Sequence, residues 1–345
     1  MTAGPEFETV ERPFIEQLVA MGWKHTTGNL DFPSATSRES FREVLLLDDL
    51  RKALRRINLD DDGKEWLDDG RIAQAVSALE RLGVGKQMEA NQLATELLHK
   101  GISVEGLPNW DHGRAQTVRY VDWDHPENNT FRVVNQFRVD EPGGQAKKYI
   151  TPDLVLFVNG IPLVVAECKS PGIAEPMEEA IDQLRRYANQ RTPGEADEGN
   201  EQLFHYNQFV VGTCYDEARV GTFTSEAVHY LEWKDTSPVP MATVAKELRV
   251  KEPSSQQTLV AGMLRPAHLL DIVRHFTLFA AAGGKTVKLV GRYQQFRAVQ
   301  AAVDRLLHGK TREEDGEHDR RGGIVWPTQG SGKSYTMVFL ARKMR

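Results

Sequence analysis

The stretch PDLVLFVNGIPLVVAECK, residues 152–169, decides the fold. Two apolar runs, 154–158 and 162–166, flank Asn159-Gly160, a dipeptide favoured in tight hairpin turns because both residues tolerate positive φ. Both runs are apolar on both faces, the pattern of central strands covered by helices. At the ends of this hairpin stand Asp153, Glu167 and Lys169, and charged residues seldom interrupt buried strands without a chemical reason. Lys169 is two residues beyond Glu167, so both side chains leave the same strand face. For Asp153 parity decides. A two-residue turn at 159–160 pairs 153 with 166 and sends Asp153 and Glu167 to opposite faces. A shared site therefore requires a three-residue turn with Gly160 left-handed, a bulge, or an Asp153 that precedes its strand.

Two carboxylates and a lysine on neighbouring strands suit Mg²⁺-assisted phosphodiester hydrolysis, in which the metal polarises the phosphate and lowers the pKa of an attacking water. Mg²⁺ takes one or two carboxylates in an octahedral oxygen shell and keeps several waters. Asp153 and Glu167 supply the carboxylates and the backbone carbonyl of Cys168 a further oxygen, while Lys169 orients the water or neutralises charge on phosphorus. The plainer alternative makes Asp153 a strand cap and Glu167–Lys169 an exposed pair. The bare spacing is common by chance, and the flanking apolar runs favour the catalytic role.

Outward from this hairpin, residues 9 to 110 read mostly helical. Phe14, Leu18 and Met21 recur at helical spacing after Pro13, and His99-Lys100-Gly101 is a helix stop. Strand periodicity follows over 118–121 and 130–139. An amphipathic helix spans 177–190 and an apolar strand 208–213. Residues 234–262, with three prolines, read as a connector. Beyond it 269–282 and 292–307 read as helices, 308–321 as a charged loop and 322–326 as a short strand. That strand leads into Thr328-Gln329-Gly330-Ser331-Gly332-Lys333-Ser334, a loop whose glycines let backbone N–H groups converge on phosphates while Lys333 reaches the β/γ oxygens and Ser334 the Mg²⁺ of ATP. Pro327 stands where the full pattern has glycine. A glycine-rich surface turn is the plain alternative. The expected class is α/β, with a first domain over 1–260 and the start of a P-loop domain over 261–345.

The net charge of −6 is unlike that of a nucleic-acid binder, but phosphate contact needs only a local basic patch. Three clusters qualify: Arg51, Lys52, Arg55 and Arg56; Lys147 and Lys148; and Arg185, Arg186 and Arg191. The first reads as a solvated helix face, and the third, just past the acidic motif, is evenly balanced between the two roles. No apolar run approaches the roughly 20 residues of a membrane span. With two cysteines and no metal-ligand spacing among Cys and His, a reduced cytoplasmic protein without structural zinc is expected.

Residues 152–169 resemble the PD-(D/E)xK nuclease motif as it occurs in the R subunits of type I restriction enzymes. The helix after them carries Gln183 and Tyr187, similar to that family's Q-x-x-x-Y motif, and 206–208 and 218–222 resemble its later strands. The resemblance implies a PD-(D/E)xK nuclease fold, a central mixed sheet flanked by helices, followed by the beginning of a RecA-like motor. It implies that Gln183 and Tyr187 position DNA and that an acid of the first helix, Glu11 or else Glu8, completes the metal site. Residues 327–334 resemble a helicase-type motif I, and Gln295 in 292–296 resembles the glutamine that reads adenine in such motors; a plain helix start is the alternative. A motor fold needs further strands, a second acidic motif and a second lobe, so a longer protein is expected. Implied partners are double-stranded DNA and methyltransferase and specificity subunits. The family's motor pumps duplex DNA using ATP, and cutting follows when translocation stalls. A helicase–nuclease without a methylase partner, and a catalytically silent docking module, remain as alternatives.

Overall fold

In the computed structural model, residues 4–82, 86–141, 148–191, 198–325 and 332–345 are described. Seven strands form one mixed sheet whose spatial order follows the chain: β1 (Lys24–Thr27), β2 (Phe131–Asn135), β3 (Leu154–Val158), β4 (Ile161–Cys168), β5 (Phe209–Thr213), β6 (Ala218–Gly221) and β7 (Leu231–Glu232). The β1–β2 and β4–β5 pairs are parallel and the other four antiparallel. Every residue of β3, β4 and β5 is buried. Both faces must therefore be covered, and the side chains show by what.

Helix α1 (Arg12–Ala20) carries Pro13 in its first turn, where a missing N–H costs nothing, and buries Phe14 and Leu18. The N-terminal half adds α2 (Leu47–Ile57), α3 (Asp69–Glu80) and α4 (Gln87–Lys100), the last ending at Gly101 with φ +69°. After the hairpin comes α5 (Pro176–Tyr187), whose Met177, Ala180, Ile181, Leu184 and Tyr187 recur every three or four residues and are buried. A Cβ on Gly212 of β5 would lie 3.4 Å from Ala180 and from Met177, so α5 covers the face to which residue 212 points. The next residue, Thr213, faces the other way; its hydroxyl donates to Gln256 Oε1 on α6 (Ser255–Met263) at 2.9 Å. Helices thus flank both faces of the central mixed sheet, as expected. The division expected at residue 260 falls inside α6, and Gln256 of that helix also donates to the Val10 carbonyl at 3.1 Å.

Several expectations for the later part of the chain are corrected. The connector 234–262 contains the helix Met241–Leu248 and most of α6, and the missed signal is a capping box, Ser254 with Gln257 three residues on. The helix expected over 269–282 is α7 (Pro266–His275) followed by a strand, β8 (Thr277–Ala282), paired antiparallel with β9 (Lys285–Val290). Gly283 and Gly284 form the turn, both at positive φ, and this hairpin signal outweighs the alanine-rich helical propensity of 280–282. No strand forms over 322–325: strands need a hydrogen-bonding neighbour, and Ile324 is 87% exposed. Helix α8 (Tyr293–His308) matches expectation to within a residue, and α9 (Lys333–Lys343) starts inside the glycine-rich loop.

Candidate functional site

The hairpin β3–β4 settles the question of parity. Its turn is the simplest one, with Asn159 at φ 52° and Gly160 at φ 78°, and Val158 pairs with Ile161 and Phe157 with Pro162. Then the register shifts: Leu156 pairs with Val164 and Leu154 with Ala166. Leu163 is the extra residue of a β-bulge. Pro162 beside it has no N–H to offer the ladder, which is why proline inside a central strand belongs at a bulge. The freed Leu163 carbonyl instead accepts the Gln208 N–H at 2.7 Å. Continued one step, the shifted register sets Asp153 opposite Glu167 on one face. Asp153 also lies just before its strand begins. Glu167 pairs with Gly212, so the shared face is the one α5 covers.

On that face Asp153 Oδ2 accepts the Cys168 N–H at 2.8 Å, and Lys169 Nζ donates to Glu167 Oε1 at 2.8 Å. Glu167 is fully buried, and its Oε2 has no hydrogen-bond partner. Burial, then the adjacent Asp153 charge, pushes the Glu167 carboxyl well above the usual carboxylate range, against the pull of Lys169. Burial pushes Asp153 up too, although the Cys168 N–H and Lys169 favour its charged form. Burial pulls Lys169 down, but Glu167 outweighs it and leaves the ammonium above its ordinary value, hence protonated. The Cys168 thiol is pushed up by burial and by the surrounding carboxylates, so it is no nucleophile here.

Of the two candidate acids in the N-terminal helix, the structure brings in Glu11. A wider π-helical turn over Phe7–Glu11 precedes α1, and Glu11 points inward, 3% exposed. Its Oε1 accepts from Asn135 Nδ2 at 2.9 Å, and Gln136 Nε2 lies 3.4 Å from Glu11 Oε2 and 3.3 Å from Asp153 Oδ1, joining the two acids. Burial, reinforced by Asp153, pushes Glu11 up to about 7. Glu8 instead pairs with Arg12 at the surface. Two participants were not foreseen. Glu6 accepts the Ser170 N–H at 3.0 Å, and its charge acts on Asp153 and Lys169; Asn135-Gln136, a polar pair ending an apolar strand, was the visible clue to the bridge.

Gln183 and Tyr187 do share a face of α5. Gln183 Nε2 donates to the Tyr187 hydroxyl, which donates to the Thr151 carbonyl at 3.2 Å, two residues before Asp153. Their contact is with the strand leading into the site rather than with Lys169. Of the phosphate-loop residues, Thr328, Gln329, Gly330 and Ser331 lie outside the described residues. Gly332, at φ +79°, caps α9, and Lys333 and Ser334 are exposed on its first turn. Gln295 is tied to this loop: its Nε2 donates to the Gly332 carbonyl at 3.1 Å while its Oε1 accepts the Arg292 N–H.

The donor set suits a hard divalent cation. Glu11, Asp153 and Glu167 are buried, the charge of Glu6 acts on Asp153, Lys169 pairs with Glu167 Oε1, and Glu167 Oε2 has no hydrogen-bond partner. Among the described residues no three His, Cys, Asp or Glu converge on one point.

Comparison with known proteins agrees with this architecture. The family described as "Type I restriction enzyme R protein N terminus" matches residues 5–229, and the SWI2/SNF2 ATPase family matches residues 294–345. The chain belongs to the first of these families. It is 31% identical over 339 residues to the Type I restriction enzyme HindI endonuclease subunit of Haemophilus influenzae, covering 97% of this chain and 30% of that protein. The EcoprrI endonuclease subunit of Escherichia coli is 23% identical over 301 residues, 86% of this chain and 80% of the relative. The chain thus spans under a third of the HindI subunit's length. Among the described residues no helix is long and apolar enough to cross a membrane.

Proposed function

We propose that residues 5–229 form a Mg²⁺-dependent endonuclease of the PD-(D/E)xK kind that cuts double-stranded DNA. In the longer protein it would be coupled to an ATP-driven DNA translocase within a type I restriction complex containing methyltransferase and specificity subunits. The observation that carries this proposal is the bulge at Leu163, which puts Asp153, Glu167 and Lys169 on one buried face. A strand with no work to do there would keep the regular register and bury no charges. Asp153 and Glu167, with the Cys168 backbone, would hold Mg²⁺, and Glu11 would reach it through water. When bound, the metal would polarise the phosphate and acidify a water.

The chain's own residues account for the rest. Lys169, kept protonated by Glu167, would donate to the phosphate or its water rather than remove a proton. The carboxyl of Glu11, pushed up to about 7, would provide a base near neutral pH, and Glu167, raised by burial, would lose its proton once a cation compensates its charge. Tyr187, braced on Thr151 and Gln183, would help to position the DNA. At the other end, Gln295, Gly332, Lys333 and Ser334 would contribute to a site for ATP with Mg²⁺. Calorimetric titration with Mg²⁺ and Mn²⁺ of the chain and of Asp153→Ala, with plasmid nicking alongside, tests the nuclease centre. Binding that disappears in the variant supports it; equal binding in both proteins, or none in either, refutes it.

A further inference from the structure

One residue from each of two basic clusters distant in sequence, Lys148 and Arg186, lines a common cavity, while Lys147 lies outside the described residues. Lys148, Tyr149, Ile150 and Thr151 on one side and Arg186, Tyr187 and Glu198 on the other line a cavity of about 390 Å³. Tyr187 and Thr151, which meet in a hydrogen bond, are part of its lining, and Thr151 is two residues before Asp153. Among the described residues no carboxylate pairs with Lys148, which is exposed. Among the described residues, the carboxylate paired with Arg186 is that of Glu198, 4.0 Å away, while its guanidinium lies 5.4 Å from the Tyr187 ring centre. The outer wall is stiff: Tyr149 is exposed, but Arg138 stacks on it at 4.3 Å and is itself held by Asp140 at 2.7 Å.

We infer that this cavity binds a backbone phosphate of the DNA strand being cut, one step from the phosphate under attack, through Lys148 and Arg186. Resting on the nuclease assignment above, the inference adds where the substrate backbone runs. An arginine fork and a lysine point charge are groups that bind phosphate oxygens without reading sequence. Thr151 and Asp153 are two residues apart, at most about 7 Å along the chain, so one DNA strand can engage both places. The acids of the centre repel an approaching phosphate, and cations on one flank give the backbone a preferred side of entry. The first cluster lacks this arrangement: Arg55 pairs with Asp69 and Arg56 with the Asn128 carbonyl.

The test is fluorescence anisotropy of a short labelled duplex with the chain, titrated with salt in EDTA so that no cutting occurs. Each lost phosphate contact makes the slope of log K against log salt shallower by about 0.9. Lys148→Ala with Arg186→Ala should therefore flatten it by about 1.8 and weaken binding at low salt. Arg186→Lys should restore about half, and Glu198→Gln, which removes the competing carboxylate, should tighten binding. Circular dichroism of each variant confirms that it is folded. A double variant with the wild-type slope, or a wild-type chain that does not bind duplex at low salt, overturns the phosphate site. Neither result bears on metal binding by Asp153, so the two assignments fail separately.

Discussion

Replacing Glu11 by Gln should make the protein's stability respond differently to pH, by an amount that follows from the geometry. The Glu11 carboxyl sits at about 7 in the folded protein against an ordinary 4.5, chiefly because it is buried, with Asp153 adding repulsion. Between those two values the folded state holds a proton that the unfolded chain has released. Stability then falls as pH rises through this window, and above about 7 the contribution of this one carboxyl is fully lost. A shift of 2.5 units at 1.36 kcal/mol each amounts to roughly 3 kcal/mol. The variant keeps a carbonyl for Asn135 Nδ2 but carries no charge at any pH. Urea unfolding in EDTA should thus give nearly equal stabilities at pH 4, and at pH 8 the variant should be ahead by about 2–3 kcal/mol. Asp153 and Glu167 also titrate, so only the difference between the two proteins is diagnostic. A difference that stays constant from pH 4 to 8 would refute both the inward placement of Glu11 and the electrostatic coupling through Gln136.

Other consequences can be checked in the same way. Gly160→Ala places a Cβ 2.3 Å from the Leu46 carbonyl at a φ of +78°; thermal melting should show a loss of about 2–4 kcal/mol. Lys288 on β9 is 1% exposed and donates to Asn91, Thr95, Gln208 and the Asn207 carbonyl, so Lys288→Met strands these acceptors; denaturant unfolding should register a loss of about 3 kcal/mol or more. Lys52→Ala, in the solvated first cluster, should leave the salt slope of duplex binding unchanged, and a flattened slope would show that this helix face also touches DNA.

Local rules were enough for the hairpin, the two-faced burial of its strands and the helix at 176–187, because turn chemistry and apolar periodicity act over a few residues. The acids and lysine of the motif were legible for the same reason, since a charge inside an apolar strand conflicts with its surroundings in the linear pattern itself. Near 277–290 the local signals conflicted, alanine propensity against a Gly-Gly turn, and only cross-strand pairing resolved them. The rest belongs to the tertiary structure. Whether Asp153 and Glu167 share a face depends on one extra residue at Leu163, held by Gln208 from another strand. Glu11 rather than Glu8 enters the site because a π-helical turn changes the phase of the helix and Asn135, more than a hundred residues away, supplies the partner. The meeting of Lys148 with Arg186 has no sequence signature: it exists only once α5 has docked on β5 and carried its polar edge to the strand before Asp153. Side-chain type and spacing determine which chemistry is available, whereas register and docking, set by long-range packing, determine which groups meet.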